Sequence, residues 1–167
     1  RHVLSILPLS HMLEQTAGLF LPLSYGGTVH YLTSRQAPVI LRSLQRHRVE
    51  AMVVVPQVVT LLLDGIEREV RLRGKQASWQ AAHRLAPRLP TRARRLLFRD
   101  VHRRLGGRLA LLFCGGAHLS PEVSSTLERM GVVVLEGYGA TECAPAIATN
   151  TLHARRAGSV GRPLSGV

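Results

Sequence analysis

Residues 109–142 read LALLFCGGAHLSPEVSSTLERMGVVVLEGYGATE, and the order of patterns inside this stretch sets the fold class. Leu109–Phe113 and Val132–Leu135 are unbroken apolar runs of strand length. Such runs suit strands buried on both faces. Between them, Ser120-Pro121-Glu122-Val123 has the marks of a helix start: a Ser able to cap, Pro at the first position and Glu in the first turn. That helix is expected to close near Gly131. Strand, helix and strand in succession predict a parallel pair. Two loops then leave the same sheet edge, Gly115-Gly116-Ala117 and Gly137-Tyr138-Gly139-Ala140-Thr141-Glu142.

Upstream the alternation repeats. Val3–Leu7 reads as a short strand stopped by Pro8, Thr28–Leu32 as another after a Gly26-Gly27 turn, and Ala51–Val55 as a third, ended by Pro56. Met12–Leu23 is apolar at mixed spacing and is expected to be helical as far as Pro22. Pro38 fits a first helical turn, with Val39, Ile40, Leu41 and Leu44 on one side and Arg42, Arg46 and Arg48 on the other. A long helix is predicted from Pro56 to about Gly74, apolar at Val58, Val59, Leu62, Leu63 and Ile66. There is no internal repeat and no low-complexity linker. The expected architecture is one α/β unit, a parallel sheet flanked by helices and covered on both faces.

The chain has 167 residues, 46% of them hydrophobic, enough for a real core, but only 4% aromatic, so that core is mostly aliphatic. The net charge of +12 would attract anions of any kind. Nearly all of it lies between Arg68 and Arg108, where thirteen basic residues face only Glu69 and Asp100. A solvated helical surface is the plain reading of that stretch. Leu85, Leu89, Leu96, Leu97 and Leu105 are placed amphipathically, which also suits an anionic membrane surface. Nucleic-acid binding is disfavoured: aromatics are too sparse there for stacking platforms, and no zinc-finger or RNA-binding signature is present. Cys114 and Cys143 lack CxxC spacing and suggest a reducing, cytoplasmic setting. No apolar run approaches the ~20 residues of a membrane span.

The two loops carry the residue types a nucleotide needs. Glycines let backbone approach a flat or charged ligand, and Tyr138 between two of them can offer a ring face to a base. A Thr hydroxyl can bond a phosphate oxygen and a carboxylate can hold Mg²⁺, a hard ion that prefers oxygen. Gly115-Gly116 alone reads as a tight turn. In Gly137–Glu142 a turn explains the glycines, but not Thr141 and Glu142 side by side. On spacing alone, His11 after Pro8 is a turn or capping histidine.

Leu135-Glu136-Gly137-Tyr138-Gly139-Ala140-Thr141-Glu142 resembles the central signature of the adenylate-forming superfamily of acyl-CoA synthetases, luciferases and peptide-synthetase adenylation domains. Three more segments resemble that family's motifs in the same order: Leu7-Pro8-Leu9-Ser10-His11 with Glu14, then Cys114–Ala117 with Leu119–Glu122, and Gly158-Ser159-Val160-Gly161-Arg162-Pro163. The first of these and the Glu-Gly-Tyr-Gly loop are most similar to long-chain fatty acyl-CoA synthetases. The resemblance implies that Tyr138 stacks on adenine, with Gly137 and Gly139 beside it, while Gly115, Gly116 and Ala117 line the adenine and acyl-adenylate pocket. It further implies that Thr141 contacts phosphate, Glu142 binds Mg²⁺, and His11 stands near the reacting carboxylate. His118 is given no role.

The implied reaction joins a fatty acid or other carboxylate to ATP, giving acyl-AMP and pyrophosphate, and then transfers the acyl group to the thiol of coenzyme A. The family's phosphate loop ending in Lys is expected upstream of His11. A ribose-binding Asp motif and a small C-terminal domain with a catalytic Lys are expected downstream. None of them is found in residues 1–167. The chain is therefore expected to be an internal part of an AMP-binding domain, without turnover alone. The alternative is a non-catalytic relative of the same fold that binds membrane or nucleic acid through its basic surface.

Overall fold

The computed structural model describes residues 1–166; Val167 lies outside them. In chain order the elements are β1 (His2–Ser5), a π-helical stretch (Glu14–Phe20) running into α1 (Leu21–Ser24), β2 (Thr28–Tyr31), α2 (Ala37–His47), β3 (Ala51–Val54) and α3 (Pro56–Leu72). Next come α4 (Gln76–Leu85), a 3₁₀ turn (Ala86–Arg88), α5 (Thr91–Leu97), α6 (Arg99–Arg104), β4 (Leu111–Cys114) and α7 (Pro121–Arg129). The chain closes with β5 (Val133–Tyr138), a 3₁₀ turn (Thr141–Cys143), β6 (Ala148–Thr149) and β7 (Arg162–Pro163).

One sheet holds all the strands in the order β2-β1-β3-β4-β5-β6-β7. The first five are parallel, as the apolar runs predict. β6 and β7 add an antiparallel edge. Chain order reverses at β1, since β2 lies on one side of it and β3 on the other. In open α/β sheets the crevice beyond the carboxyl ends of the strands at such a reversal is where ligands sit.

The helices dictate which face of each strand is core. Leu4, Met52, Val54, Leu112, Cys114 and Val134 point into one cluster with Ile40, Leu44, Val59, Leu63, Leu127 and Met130. The opposite face, with Val3, Ala51, Val53, Leu111 and Phe113, packs against the Glu14–Ser24 segment. A cavity of about 480 Å³ lies between that segment and the sheet, under Ala17, Leu21 and Pro22.

Local signals account for most element boundaries. The Ser120 hydroxyl accepts the Glu122 N–H at 3.3 Å, with Pro121 in the first turn. α3 buries Val58, Val59, Leu62, Leu63 and Ile66, the expected stripe. Three expectations fail for tertiary reasons. β1 stops at Ser5 rather than Leu7, because its pairing with β2 ends at Ser5↔Tyr31. β5 runs to Tyr138, past the expected end at Leu135, because Gly137 and Tyr138 gain partners in Thr149 and Ala148. Pro22 does not stop the helix. It lies buried inside a continuous helical run, with Phe20 and Leu21 before it also in helical backbone, and the helix ends only at Ser24.

The basic stretch folds as surface helices that use many of their own charges. Arg94 donates to the carbonyls of Leu89, Glu128 and Pro87, and Arg95 to those of Leu109, Gly131 and Gly107. Arg73 and Arg104 pair with Glu69, and Arg108 with Glu50. Leu105 belongs to the core and Leu89 is half-buried, which removes two leucines from the amphipathic surface set; Leu85, Leu96 and Leu97 are exposed.

Candidate functional site

The parallel register places Cys114 beside Glu136, so the loops after β4 and β5 leave the sheet side by side. They meet the turn after β1 around a cavity of about 190 Å³. His11, Gly115, Gly116, Gly137, Tyr138, Gly139 and Thr141 all line it. Ala117 and Glu142, also expected there, are exposed and outside its lining.

Backbone geometry explains the glycines. Gly116 has φ +85°, and the Gly115 N–H donates to Val54 O at 3.2 Å, tying the loop to β3. A Cβ on Gly139 would collide with the Pro145 carbonyl, so the Gly139–Pro145 approach requires glycine. Cys143 N–H donates to Ala140 O at 3.0 Å and Ala144 N–H to Thr141 O at 3.2 Å, closing a tight turn. Its last residue, Ala144, sits at φ 51°, left-handed backbone that costs a non-glycine residue strain.

That turn presents Tyr138, Thr141 and Glu142 outward. Tyr138 is 57% exposed although it ends a strand, so one ring face is open to a ligand. Neither Thr141 nor Glu142 makes a side-chain hydrogen bond among the described residues. No group of three or more metal-ligating side chains occurs among those residues either. A lone exposed carboxylate fits Mg²⁺, which keeps waters and shares phosphate oxygens, and fits poorly an ion that needs a full protein cage.

His11 is a turn residue that also borders the cavity. Its N–H donates to Pro8 O at 3.0 Å and its carbonyl accepts from Glu14 and Gln15 N–H, so it starts a helix. Its side chain faces the cavity.

The fourth motif is drawn in by a buried carboxylate. Glu136 Oε1 accepts the Gly158 N–H at 3.2 Å. Burial raises its carboxyl above the usual range, offset in part by the Gly158 amide, the Ser124 hydroxyl and His118, while Glu128 raises it further. Asn150 holds the same loop through Ser159 O and Arg156 N–H. A Cβ on Gly161, at φ +85°, would strike the Thr149 backbone. The Gly158–Pro163 segment therefore lies against β5 and β6, beside the signature turn.

Sequence reasoning missed Phe113, Leu13, Pro145 and Ala146 in the lining. Phe113 reads as core from its apolar run, yet it lies on the less covered sheet face and borders both cavities. Strand alternation from buried Leu112 was the available signal.

Comparisons with known proteins agree with this geometry. A family model described as AMP-binding enzyme matches residues 1–167. The chain is 26% identical to long-chain-fatty-acid–CoA ligase ACSBG2 of Gallus gallus, covering 98% of this chain and 24% of that protein. It is 29% identical to the peroxisomal long chain acyl-CoA synthetase 6 of Arabidopsis thaliana, covering 96% and 24%. Among solved structures, the anthranilate CoA ligase AuaEII in complex with anthranoyl-AMP superposes with TM-score 0.67 at 20% identity, over 99% of this chain and 26% of that one. O-succinylbenzoate coenzyme A synthetase from Bacillus subtilis, in complex with ATP and magnesium ion, gives 0.66 at 22% identity, over 98% and 27%. The chain spans about a quarter of the length of these proteins. Four motifs gathered at one sheet edge and a family model matched along the whole chain lead to one conclusion: the chain belongs to the AMP-binding, adenylate-forming enzymes, and among them resembles the fatty acyl-CoA synthetases.

Proposed function

We propose that this chain supplies the central sheet and nucleotide-facing loops of an ATP-dependent ligase that activates a fatty acid as acyl-AMP and delivers it to coenzyme A. The convergence of the turns after β1, β4 and β5 on one cavity carries this reading. A carboxylate oxygen attacks the α-phosphorus of ATP, the bond to the β-phosphate oxygen breaks, and pyrophosphate leaves. The thiol of coenzyme A then attacks the acyl carbon, its proton is lost, and AMP departs.

In this scheme Tyr138 stacks on adenine, and Gly115, Gly116, Ala117, Gly137 and Gly139 let backbone approach the adenylate. Thr141 donates to a phosphate oxygen, and His11 orients the acyl carboxylate. Mg²⁺, held by Glu142, neutralises phosphate charge when bound. The rest is positioning, which is where reactions of this kind gain most. The apolar cavity under α1 supports a fatty acyl chain as substrate, with Phe113 as the wall it shares with the nucleotide-facing cavity.

The test is carboxylate-dependent ATP–pyrophosphate exchange by the full-length protein with a long-chain fatty acid. Acid-dependent exchange is expected. A folded protein that exchanges with no acid refutes the reading and leaves a non-catalytic relative.

A specific observation also favours contact with an anionic membrane. Leu85, Leu96 and Leu97 are exposed, and Arg84, Arg88, Arg92 and Arg99 near them in the chain make no ion pair among the described residues. Co-sedimentation with anionic but not neutral vesicles is the expected outcome; binding indifferent to lipid charge removes this reading.

A further inference from the structure

Glu14 is the one acidic side chain that the structure hides completely: it is 0% exposed, and neither carboxyl oxygen has a hydrogen-bond partner among the described residues. The Ser5 hydroxyl, buried and equally without a partner, and the Leu7 amide approach the carboxyl without closing a hydrogen bond to it. A carboxyl placed this way costs folding free energy, so a fold that retains it uses it.

Its surroundings are shaped to receive it. Glu14 opens a π-helical stretch, a rare geometry that tends to occur at functional sites. One turn on stands Gly18, where a Cβ would collide with the Glu14 carboxyl. The side chain reaches back to the end of β1, at Ser5 and Leu7, while its own N–H donates to the carbonyl of His11 at 3.0 Å. Glu14 thus lies against the start of the Leu7–His11 turn with its carboxyl and is bonded to the end of it through its N–H.

We infer that Glu14 is a positioning residue: its buried carboxyl anchors the turn after β1 and thereby fixes where His11 stands in the cavity. The inference rests on the proposed role of His11. Burial raises the carboxyl, with the Ser5 hydroxyl and Leu7 amide acting the other way, and no hydrogen bond compensates a charge there among the described residues. Glutamine, a neutral isostere, should therefore substitute for it, and alanine should not.

The experiment is a double-mutant cycle in the full-length protein, read as kcat/KM for the fatty acid and KM for ATP, with amide exchange of residues 7–15 followed alongside. Glu14→Ala should lower kcat/KM for the acid by roughly 100-fold, the loss typical of misplacement by about 1 Å. KM for ATP should hold, and exchange across 7–15 should quicken. Glu14→Gln should restore both. Added to His11→Ala, Glu14→Ala should cost nothing further.

Losses that multiply in the double variant, or unchanged amide exchange in Glu14→Ala, overturn the inference. An exchange-active enzyme indifferent to His11→Ala overturns the role given to His11 and the inference with it. A wild type without activity overturns only the proposed function, because the amide exchange still reads the anchor.

Discussion

β4 and β5 end in opposite ways. At their amino ends the guanidinium of Arg95 gathers three backbone carbonyls, those of Gly107, Leu109 and Gly131, at 2.8–3.2 Å. At their carboxyl ends the loops after Cys114 and Tyr138 instead border a cavity, with the turn after β1 on its other side. Glycines, an exposed tyrosine, and a threonine and a carboxylate without side-chain partners among the described residues stand there. The same pair of strands is sealed at one edge and open at the other. Polar groups satisfied internally stabilise; polar groups left open are available to a ligand. One end of the sheet is closed for stability and the other holds the residues proposed to bind the nucleotide, so perturbing each end should affect a different observable.

The largest separation is expected from Glu142→Gln. Exchange should fall by roughly 1,000-fold, as when a transition-state charge partner is removed, with the melting temperature unchanged. A large fall in melting temperature would place Glu142 in the structural half and break the contrast. The mirror experiment is Arg95→Ala. Leaving several buried carbonyls without a donor should cost about 3 kcal/mol of stability, seen as a lower melting temperature, while KM for ATP and for the acid stays unchanged in the protein that remains folded. A selective rise in either KM would connect the two ends.

Acid sharpens the contrast further. His83 packs against Trp79 and Phe98, with ring centroids 4.4 and 4.8 Å away. Burial, aided by Arg129, pushes its imidazole down to about 4 from 6.5. Between those values the unfolded chain binds a proton that the folded one refuses. The stability from His83 is therefore complete above pH 6.5 and drains away as pH falls toward 4. Buried His102, lowered by desolvation and bonded to Met130 O, acts in the same direction. We expect a loss of roughly 1–2 kcal/mol from pH 7 to 5, reduced in His83→Phe, which keeps the aromatic packing without the proton. A slope identical in that variant would assign the acid sensitivity elsewhere.

The two ends also differ in how far they could be read from residues alone. The glycine loops were legible because the role proposed for them demands local chemistry: small residues where backbone must come close, and Thr141 with Glu142 in one short turn. The sealed end was not. Arg95 sits in a run of arginines whose spacing looks like any solvated helix, and only the fold brings it to strand ends 14 and 36 residues away in sequence. The antiparallel edge was hidden too, since β6 and β7 are two residues each and exist only through pairing. The burial of Glu14 depends likewise on a π-helical turn and on Gly18, and neither leaves a periodic trace.

What Arg95 grasps has a consequence for how these positions can drift over generations. All three of its partners are main-chain carbonyls, which every amino acid possesses. The side chain at 109 therefore takes no part in the contact, whereas Gly107 is held to glycine by its φ of +76°. Position 131 is held separately, by its φ of +84° and by the Arg95 methylene pressed against it. The side-chain share of the sealed edge thus comes from one arginine, and the rest from backbone that two glycines hold in shape.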